Sequence, residues 1–457
     1  MAERPLIDMG EREFSLYALS LPRGPDLSPY DAIVGWRTQE CEAAGVVMVN
    51  ADTGDYGALV LRRQVDHRWT MVLETRGLAS FETAVAIAKT TITQHVPPEP
   101  LAPGERRRPL LLKPGRSPSG KNFRILTETW SHYPAMMTVG EAYLAMPKPD
   151  ANFVTDFQTA NFNARLFELY LLAAFREQGV EVSQDVVSPD FHLQRAGFEA
   201  WVEAVAANDG ANQGFTQPVH APNYRERMVG APAVRFAKTL RRKLQRDYHL
   251  FPHVQDKPFA LALADYHAPG SMLWSREALP TYLYGDYAHV GMVDGRRAAL
   301  SMPVRRLDGP APIPAGIFRD PEFAHLSAVL FSNSATFGKF NRMGLLAGWR
   351  PPGLRMKRRG ILFDRSDGAL DPMDFNYDIL DLAYEALWPT GERWSQELEV
   401  FHNPLAARPI DFELLPDATH WFEKDGEIHC HTVWANSVLA STTDLVWADV
   451  AEPVGSR

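Results

Sequence analysis

Three acidic residues stand out by the company they keep. Glu168 lies in the run NFNARLFELYLLAAFREQG (161–179). At helical spacing it shares a face with Ala164, Leu171, Leu172 and Phe175. A carboxylate on an apolar stripe is costly unless it finds a partner, a metal or a polar cavity. Asp190 follows Ser188–Pro189, and a proline suits a strand start or a bulge better than a strand interior. The aspartate therefore sits where the chain changes direction, a common place for a metal-binding carboxylate, although Pro-Asp is also a routine turn pair. Glu203 follows in FEAWVEAV, where alternation puts Glu199, Trp201, Glu203 and Val205 on one strand face and Ala200, Val202 and Ala204 on the other. The plainer alternatives are a stripe edge where Glu168 reaches water and a solvated strand face, which fits Glu199 better than Glu203.

The order of these residues, Glu in a helix, Pro-Asp at one strand, Glu in the next, resembles the PD-(D/E)XK nuclease superfamily. In that family the helix carboxylate, the aspartate and the second-strand acid gather a divalent metal, and a lysine two residues after the acid positions or activates water. The resemblance implies catalytic roles for Glu168, Asp190 and Glu203, with Asp190 and Glu203 as metal ligands and Mg2+ or Mn2+ as cofactor. Carboxylates suit such a hard ion, which can lower the pKa of a bound water and stabilise in-line displacement at phosphorus. This sequence departs from the family at Val205, which occupies the lysine position. The family tolerates migration of that lysine, and Lys243 is the candidate, on the stripe of Phe236 and Leu240 in the next helix. Glu199, or a water held by Asn208, is an alternative, and an inactive protein is another.

That next helix, read over 231–248, carries Arg235, Lys238, Arg241, Arg242, Lys243 and Arg246 against the single Asp247. Such a concentration can contact phosphates, with Arg235, Lys238, Arg242 and Arg246 as the nucleic-acid-binding candidates. An ordinary amphipathic helix with a solvated basic face is the competing reading. The apolar strand KPFALALADY after it again resembles the family's core order. FHNPLAARPID (401–411) is similar to a closing segment of nuclease-like proteins. The resemblance thus extends loosely over 150–415 and does not cover 1–149.

The expected fold is α/β, a mixed central sheet flanked by helices with a restriction-endonuclease-like core, preceded by a small α+β domain over 1–95. Short β-rich runs at AIVGWR, GVVMVN, YGALVLRR and WTMVLET build the small domain, and Ser80 caps a helix over SFETAVAIAKTTITQHV. Residues 96–121, rich in Pro, Gly and Arg, read as a linker. The nuclease-like domain follows over 122–415, with helix, strand, strand, helix and strand in order, and LSAVLFSN (326–333) as a further buried strand. Residues 416–457 form a β-rich segment that includes GEIHCHTVWANSVL. There His429 and His431 share a face, and a metal site would need further ligands such as His402 and His420. Structural histidines are the favoured reading.

Composition narrows the function classes. The chain has 457 residues, 45% of them hydrophobic, enough to bury a large core. Two cysteines, Cys41 and Cys430, make neither a disulfide framework nor a zinc ribbon, so a reducing, cytoplasmic setting is expected. The N-terminus has no apolar signal-peptide region, and no window is apolar enough to span a membrane. A net charge of −9 argues against a surface coated in phosphate-binding lysines but leaves room for a local basic patch. There is no P-loop, no dinucleotide-binding fingerprint, no HExxH and no GxSxG. The expected activity is metal-dependent hydrolysis of nucleic acid, most readily DNA. The rivals are an inactive nuclease fold that binds nucleic acid or a protein partner, and a purely structural protein.

Overall fold

The computed structural model describes residues 5–98, 100–113, 118–208, 223–268, 270–309, 311, 313–366 and 368–447. The described residues divide into two compact units, the first built from residues up to Ser183 together with Lys339–Leu354, the second from Gln184–Gly338 and from Arg355 to Trp447.

The first unit opens with an antiparallel five-stranded sheet in sequence order: β1 (Leu6–Met9), β2 (Tyr30–Thr38), β3 (Ala43–Asn50), β4 (Tyr56–Arg63) and β5 (Trp69–Leu78). Alternation along β3 and β4 divides their apolar side chains between two faces. Val46, Met48, Leu59 and Leu61 pack with Phe14 and Tyr17 of α1 (Glu11–Ala18), whereas Val47 and Ala58 pack with Ala84 and Ala88 of α2 (Phe81–Thr93). The expected cap of α2 is present, since Ser80 Oγ accepts the Thr83 amide at 3.2 Å. Four helices follow: α3 (Lys121–Glu128), α4 (Tyr133–Ala145), α5 (Phe153–Gln158) and α6 (Phe162–Glu177). Gly179 ends α6 with a φ of +73°, a conformation that costs a residue without Cβ little. The expected linker 96–121 falls inside this unit. Arg107 donates to the carbonyls of Tyr143 (2.6 Å) and Met146 at the C-terminal end of α4, and Gln158 donates to those of Leu110 and Leu112 at 2.8 and 2.7 Å.

β6 (Glu181–Ser183) closes the first continuous stretch of this unit, and the second unit begins with β7 (Phe191–Arg195) and β8 (Phe198–Asn208). Ala196 and Gly197, both at positive φ, form their two-residue turn. Then come α7 (Tyr224–Val229), α8 (Ala231–Leu244), β9 (Phe259–Tyr266) and α9 (Ala278–Tyr284). A ribbon of β10 (Asp286–Val293) and β11 (Arg296–Pro303) turns at Asp294–Gly295, and β12 (Arg306–Leu307) pairs with β13 (Ile313–Pro314). The remaining strands are β14 (Ala328–Phe331), β15 (Leu354–Leu362), β16 (Met373–Asp378), β17 (Glu399–His402), β18 (Thr419–Lys424), β19 (Glu427–His431) and β20 (Val438–Trp447).

The seven main-sheet strands of this unit run in the order β19-β18-β17-β14-β9-β8-β7. The sheet is mixed: β8, β9 and β14 are parallel neighbours, while β7 joins β8, and β17 joins β14, antiparallel. β9 lies between two parallel neighbours with seven of its eight residues buried, which is why it reads as apolar throughout. Phe236 and Leu240 of α8 and Leu279 and Tyr282 of α9 pack over Leu261, Leu263, Val329 and Phe331 on one sheet face. A separate three-stranded sheet joins β16, β15 and β20. The α/β class and the mixed sheet are as the sequence implies. Among the described residues no helix is long and apolar enough to cross a membrane.

Candidate active site

The hairpin register brings two of the acids face to face. Phe191 pairs with Val202, so Asp190, one residue earlier, falls opposite Glu203. Asp190 Oδ2 accepts the backbone N–H of Ala204 at 2.7 Å, which fixes its carboxylate against the strand that carries Glu203. The shared face is set by alternation. His192 stacks on its cross-strand partner Trp201 with ring centroids 4.3 Å apart, and Trp201 and Val205 belong to the core that contains Phe236 of α8.

Glu203 is only 4% exposed, and its two oxygens are held separately. Lys243 Nζ, from α8, lies 2.5 Å from Oε1, and Ser188 Oγ donates to Oε2 at 3.1 Å. Arg246 Nη1 stands 3.9 Å from Oε1 and bonds the Tyr248 hydroxyl at 3.4 Å. Burial, and then the negative charge of Glu203, raise the Tyr248 pKa above its ordinary value. The hydroxyl and charge of Tyr248 raise that of Arg246. His253 Nε2 bonds the carbonyl of Ser188 at 3.0 Å and so ties down the loop before Asp190.

Lys243 reaches this point because it lies at the edge of the buried stripe of α8. Phe236 and Leu240 are fully buried, whereas the Lys243 side chain keeps 18% of its exposure and bends to Glu203. The exposed side of α8 carries Lys238 and Arg242, with Arg246 just past its end. Arg235 is half-buried and bonds the carbonyl of Asn208 at the end of β8. On a helical wheel these four cations form one stripe, and Lys243 borders it.

Glu168 is placed differently. It belongs to the first unit, where Arg165 Nη1 bonds both its oxygens at 3.0 and 3.2 Å. The same guanidinium holds Asp150 and Asp156, each at 2.6 Å. The structure thus joins Asp190, Glu203 and Lys243, while the Glu168 carboxylate has an arginine partner on its own helix. Glu199 is also engaged: burial works against its charge, but hydrogen bonds from Lys257 and His192 prevail and lower its pKa. Among the described residues, no three or more His, Cys, Asp or Glu side chains are grouped to hold a metal ion.

The histidine alternative resolves into packing. His402 Nε2 donates to His420 Nδ1 at 2.8 Å, because His420 Nε2 already donates to the carbonyl of Leu415. Phe412 stacks against His420 and His431. Burial, then the neighbouring ring, depress the His402 pKa to about 3, and burial depresses that of His420 to about 4. Two residues of the cluster, Ser188 and Tyr248, lie outside the sequence-based set. Ser188 adjoins the Pro-Asp pair, but Tyr248 carries no signal of spacing that would mark it. Comparison of the chain with family models, curated proteins and solved structures found no match.

Proposed function

We propose that the second unit is a PD-(D/E)XK-like nuclease centre that hydrolyses phosphodiester bonds of nucleic acid, DNA first among the candidates. What supports this is the meeting of Asp190, Glu203 and Lys243, from the loop before β7, from β8 and from α8, beside a cationic stripe. Within the second unit the order β7, β8, α8 and β9, strand, strand, helix and strand, agrees with the same reading, apart from the short helix α7.

The donors suit Mg2+ or Mn2+. Asp190 and Glu203 offer hard carboxylate oxygens, and magnesium is commonly held by one or two carboxylates, taking its other ligands from water and substrate phosphate. Bound there, the ion would supply Lewis-acid stabilisation at phosphorus and a more acidic water. The protein's own groups have separate tasks. Lys243 balances the charge of Glu203 and stands ready as a cation beside a phosphoryl oxygen. Ser188 orients the second oxygen of Glu203, and Ala204 N–H orients Asp190. Lys238, Arg242 and Arg246 hold the backbone of the substrate through its phosphates, which carries no sequence preference.

A second reading has its own support. Glu203 already has the ammonium of Lys243 on one oxygen and Ser188 on the other, and Glu168 is held by Arg165. These pairings favour a nuclease fold that binds nucleic acid without cutting it. The test is cleavage of supercoiled plasmid and single-stranded DNA with and without Mg2+ or Mn2+, wild type beside Glu203→Ala. Metal-dependent nicking that Glu203→Ala abolishes, with binding retained, supports the enzyme. Salt-dependent binding with no cleavage in either protein selects the inactive fold, and neither binding nor cleavage removes both.

A further inference from the structure

Four residues with buried polar atoms that lack partners are neighbours in the second unit, outside the site above. Asp265 is fully buried near the end of β9. Its Oδ1 accepts both His267 Nδ1–H at 2.7 Å and the His267 amide at 2.9 Å. Its Oδ2 has no partner, and the same holds for Ser271 Oγ, Ser275 Oγ and Asn333 Oδ1. Both serines are fully buried.

These residues come from two strand ends and one turn. Phe331 pairs with Leu263 and the Ser332 amide bonds the Leu263 carbonyl, so the chain carries Asn333 past β14 alongside Asp265. Asn333 Nδ2 donates to the carbonyl of Met272 at 2.6 Å, which leaves Oδ1 as the free end of its amide. The Ser275 amide bonds the Ser271 carbonyl, so the two hydroxyls lie one helical turn apart. His267 meets Trp274 edge-on at 5.4 Å, which closes the turn over the end of β9.

Buried polar groups are normally satisfied, and each one left without a partner calls for a cause. Here all four orphaned atoms are oxygens. Two of them, a carboxylate and an amide oxygen, can only accept, and each hydroxyl offers lone pairs beside its proton. Such a set repels an anion and complements a cation. The charge decides which kind. Asp265 is the single ionisable group of the set, which therefore carries at most one negative charge, and a divalent ion would leave a net positive charge among buried atoms.

We propose that Asp265, Ser271, Ser275 and Asn333 form a structural site for a monovalent cation, Na+ or K+, at the carboxyl ends of β9 and β14. The site locks the 270–275 turn to the strands, and its occupancy is independent of the nuclease reading.

The test uses the full chain, freed of divalent ions and held in N-methylglucamine chloride. NaCl or KCl then replaces that salt at constant ionic strength while the melting temperature is followed. One of the two should raise Tm saturably by about 2 °C or more. Ser271→Ala and Asn333→Ala should each flatten the rise. Ser275→Ala discriminates further by sign. If its hydroxyl is merely orphaned, removing it raises Tm in every salt. If it binds the ion, removing it lowers Tm in the favoured salt and not in N-methylglucamine. A melting temperature indifferent to the monovalent cation overturns the proposal and leaves water as the partner of these groups. A rise with Ca2+ that Ser271→Ala removes and Glu203→Gln keeps overturns the monovalent choice. Should Ser271→Ala fail to fold, wild type and Asn333→Ala carry the comparison.

Discussion

Arg165 in the first unit and Lys243 in the second each neutralise a buried glutamate, Glu168 and Glu203, yet they do it in different ways. Arg165 spreads a rigid fork over three carboxylates, Asp150, Asp156 and Glu168, and its pKa is raised, burial being outweighed by Glu168 and the two aspartates. A guanidinium so engaged serves as a clamp. Lys243 touches one oxygen of Glu203 with a compact ammonium on a flexible stem, and Asp190 is held by a backbone amide instead. In the proposed nuclease these acids must exchange partners when a phosphate arrives. The difference teaches that a buried carboxylate becomes a functional candidate through the kind of partner it has, since Glu168 and Glu203 are both buried.

The sharpest way to break this comparison is to exchange the fates of the two acids. Glu203→Ala should lower Mg2+-dependent cleavage by on the order of 10²–10³-fold, the loss typical of removing one charge-stabilising group. Glu168→Gln should leave it within about threefold, since one carboxylate of the Arg165 clamp is lost while Asp150 and Asp156 remain. Cleavage time courses at equal protein concentration decide this. A Glu168→Gln variant as dead as Glu203→Ala would erase the distinction.

Stability should show the opposite ranking. Arg165→Met leaves Asp150, Asp156 and Glu168 without that guanidinium, and should cost about 3 kcal/mol, since breaking a buried pair strands charge. Lys243→Met leaves Glu203 with Ser188 and Tyr248 and should cost less, about 1–2 kcal/mol. Urea unfolding followed by tryptophan fluorescence measures both. Equal costs would mean that Lys243 is as much a clamp as Arg165.

The sequence carries much of this geometry and hides part of it. Alternation in FEAWVEAV and the stripe of α8 put Glu203 and Lys243 on their faces, because strand and helix periods fix faces locally, whereas it is the nuclease resemblance that singles out Asp190 and Lys243 as partners of Glu203. Glu168 is legible as a carboxylate on an apolar stripe. Its pairing with Arg165, three residues away on the same helix, follows from helical spacing. The β10–β11 ribbon has a plain turn signal in Asp294–Gly295, but no apolar alternation strong enough to mark its strands as core. The compact units divide at Ser183, not at a Pro-rich stretch, and return at Lys339–Leu354. Such a division depends on residues distant in sequence coming together, which composition cannot report.

Acid should distinguish the second unit in another way. His402 and His420 are buried and neutral, with pKa values depressed from 6.5 to about 3 and about 4. The unfolded chain therefore binds more protons than the folded one below about pH 6.5. Their contribution is complete above that value and is lost progressively as the pH falls through 6.5 toward the folded values. His402→Gln should flatten the fall in Tm between pH 6.5 and pH 4. An unchanged slope would transfer acid sensitivity to the carboxylate clusters.

The smallest expected effect concerns the cationic stripe, and it separates substrate holding from chemistry. Lys238 and Arg242 are exposed and belong to the stripe that Lys243 borders. If they bind phosphates, each neutralised phosphate releases about one counterion, and the slope of log affinity against log salt concentration should flatten by roughly one for each side chain removed. Charge reversal, Lys238→Glu or Arg242→Glu, should weaken binding about equally for unrelated DNA sequences, because phosphates carry no sequence information. Cleavage at saturating DNA should hardly change, since neither residue touches Glu203. Lys243→Met should differ in kind, lowering cleavage at saturating DNA while altering the salt slope little. Fluorescence anisotropy over a salt series, paired with saturated cleavage rates, resolves the two patterns. If Lys238→Glu and Arg242→Glu leave both affinity and slope unchanged, the stripe is a solvated face, and the nucleic acid must approach Glu203 by another side of the unit.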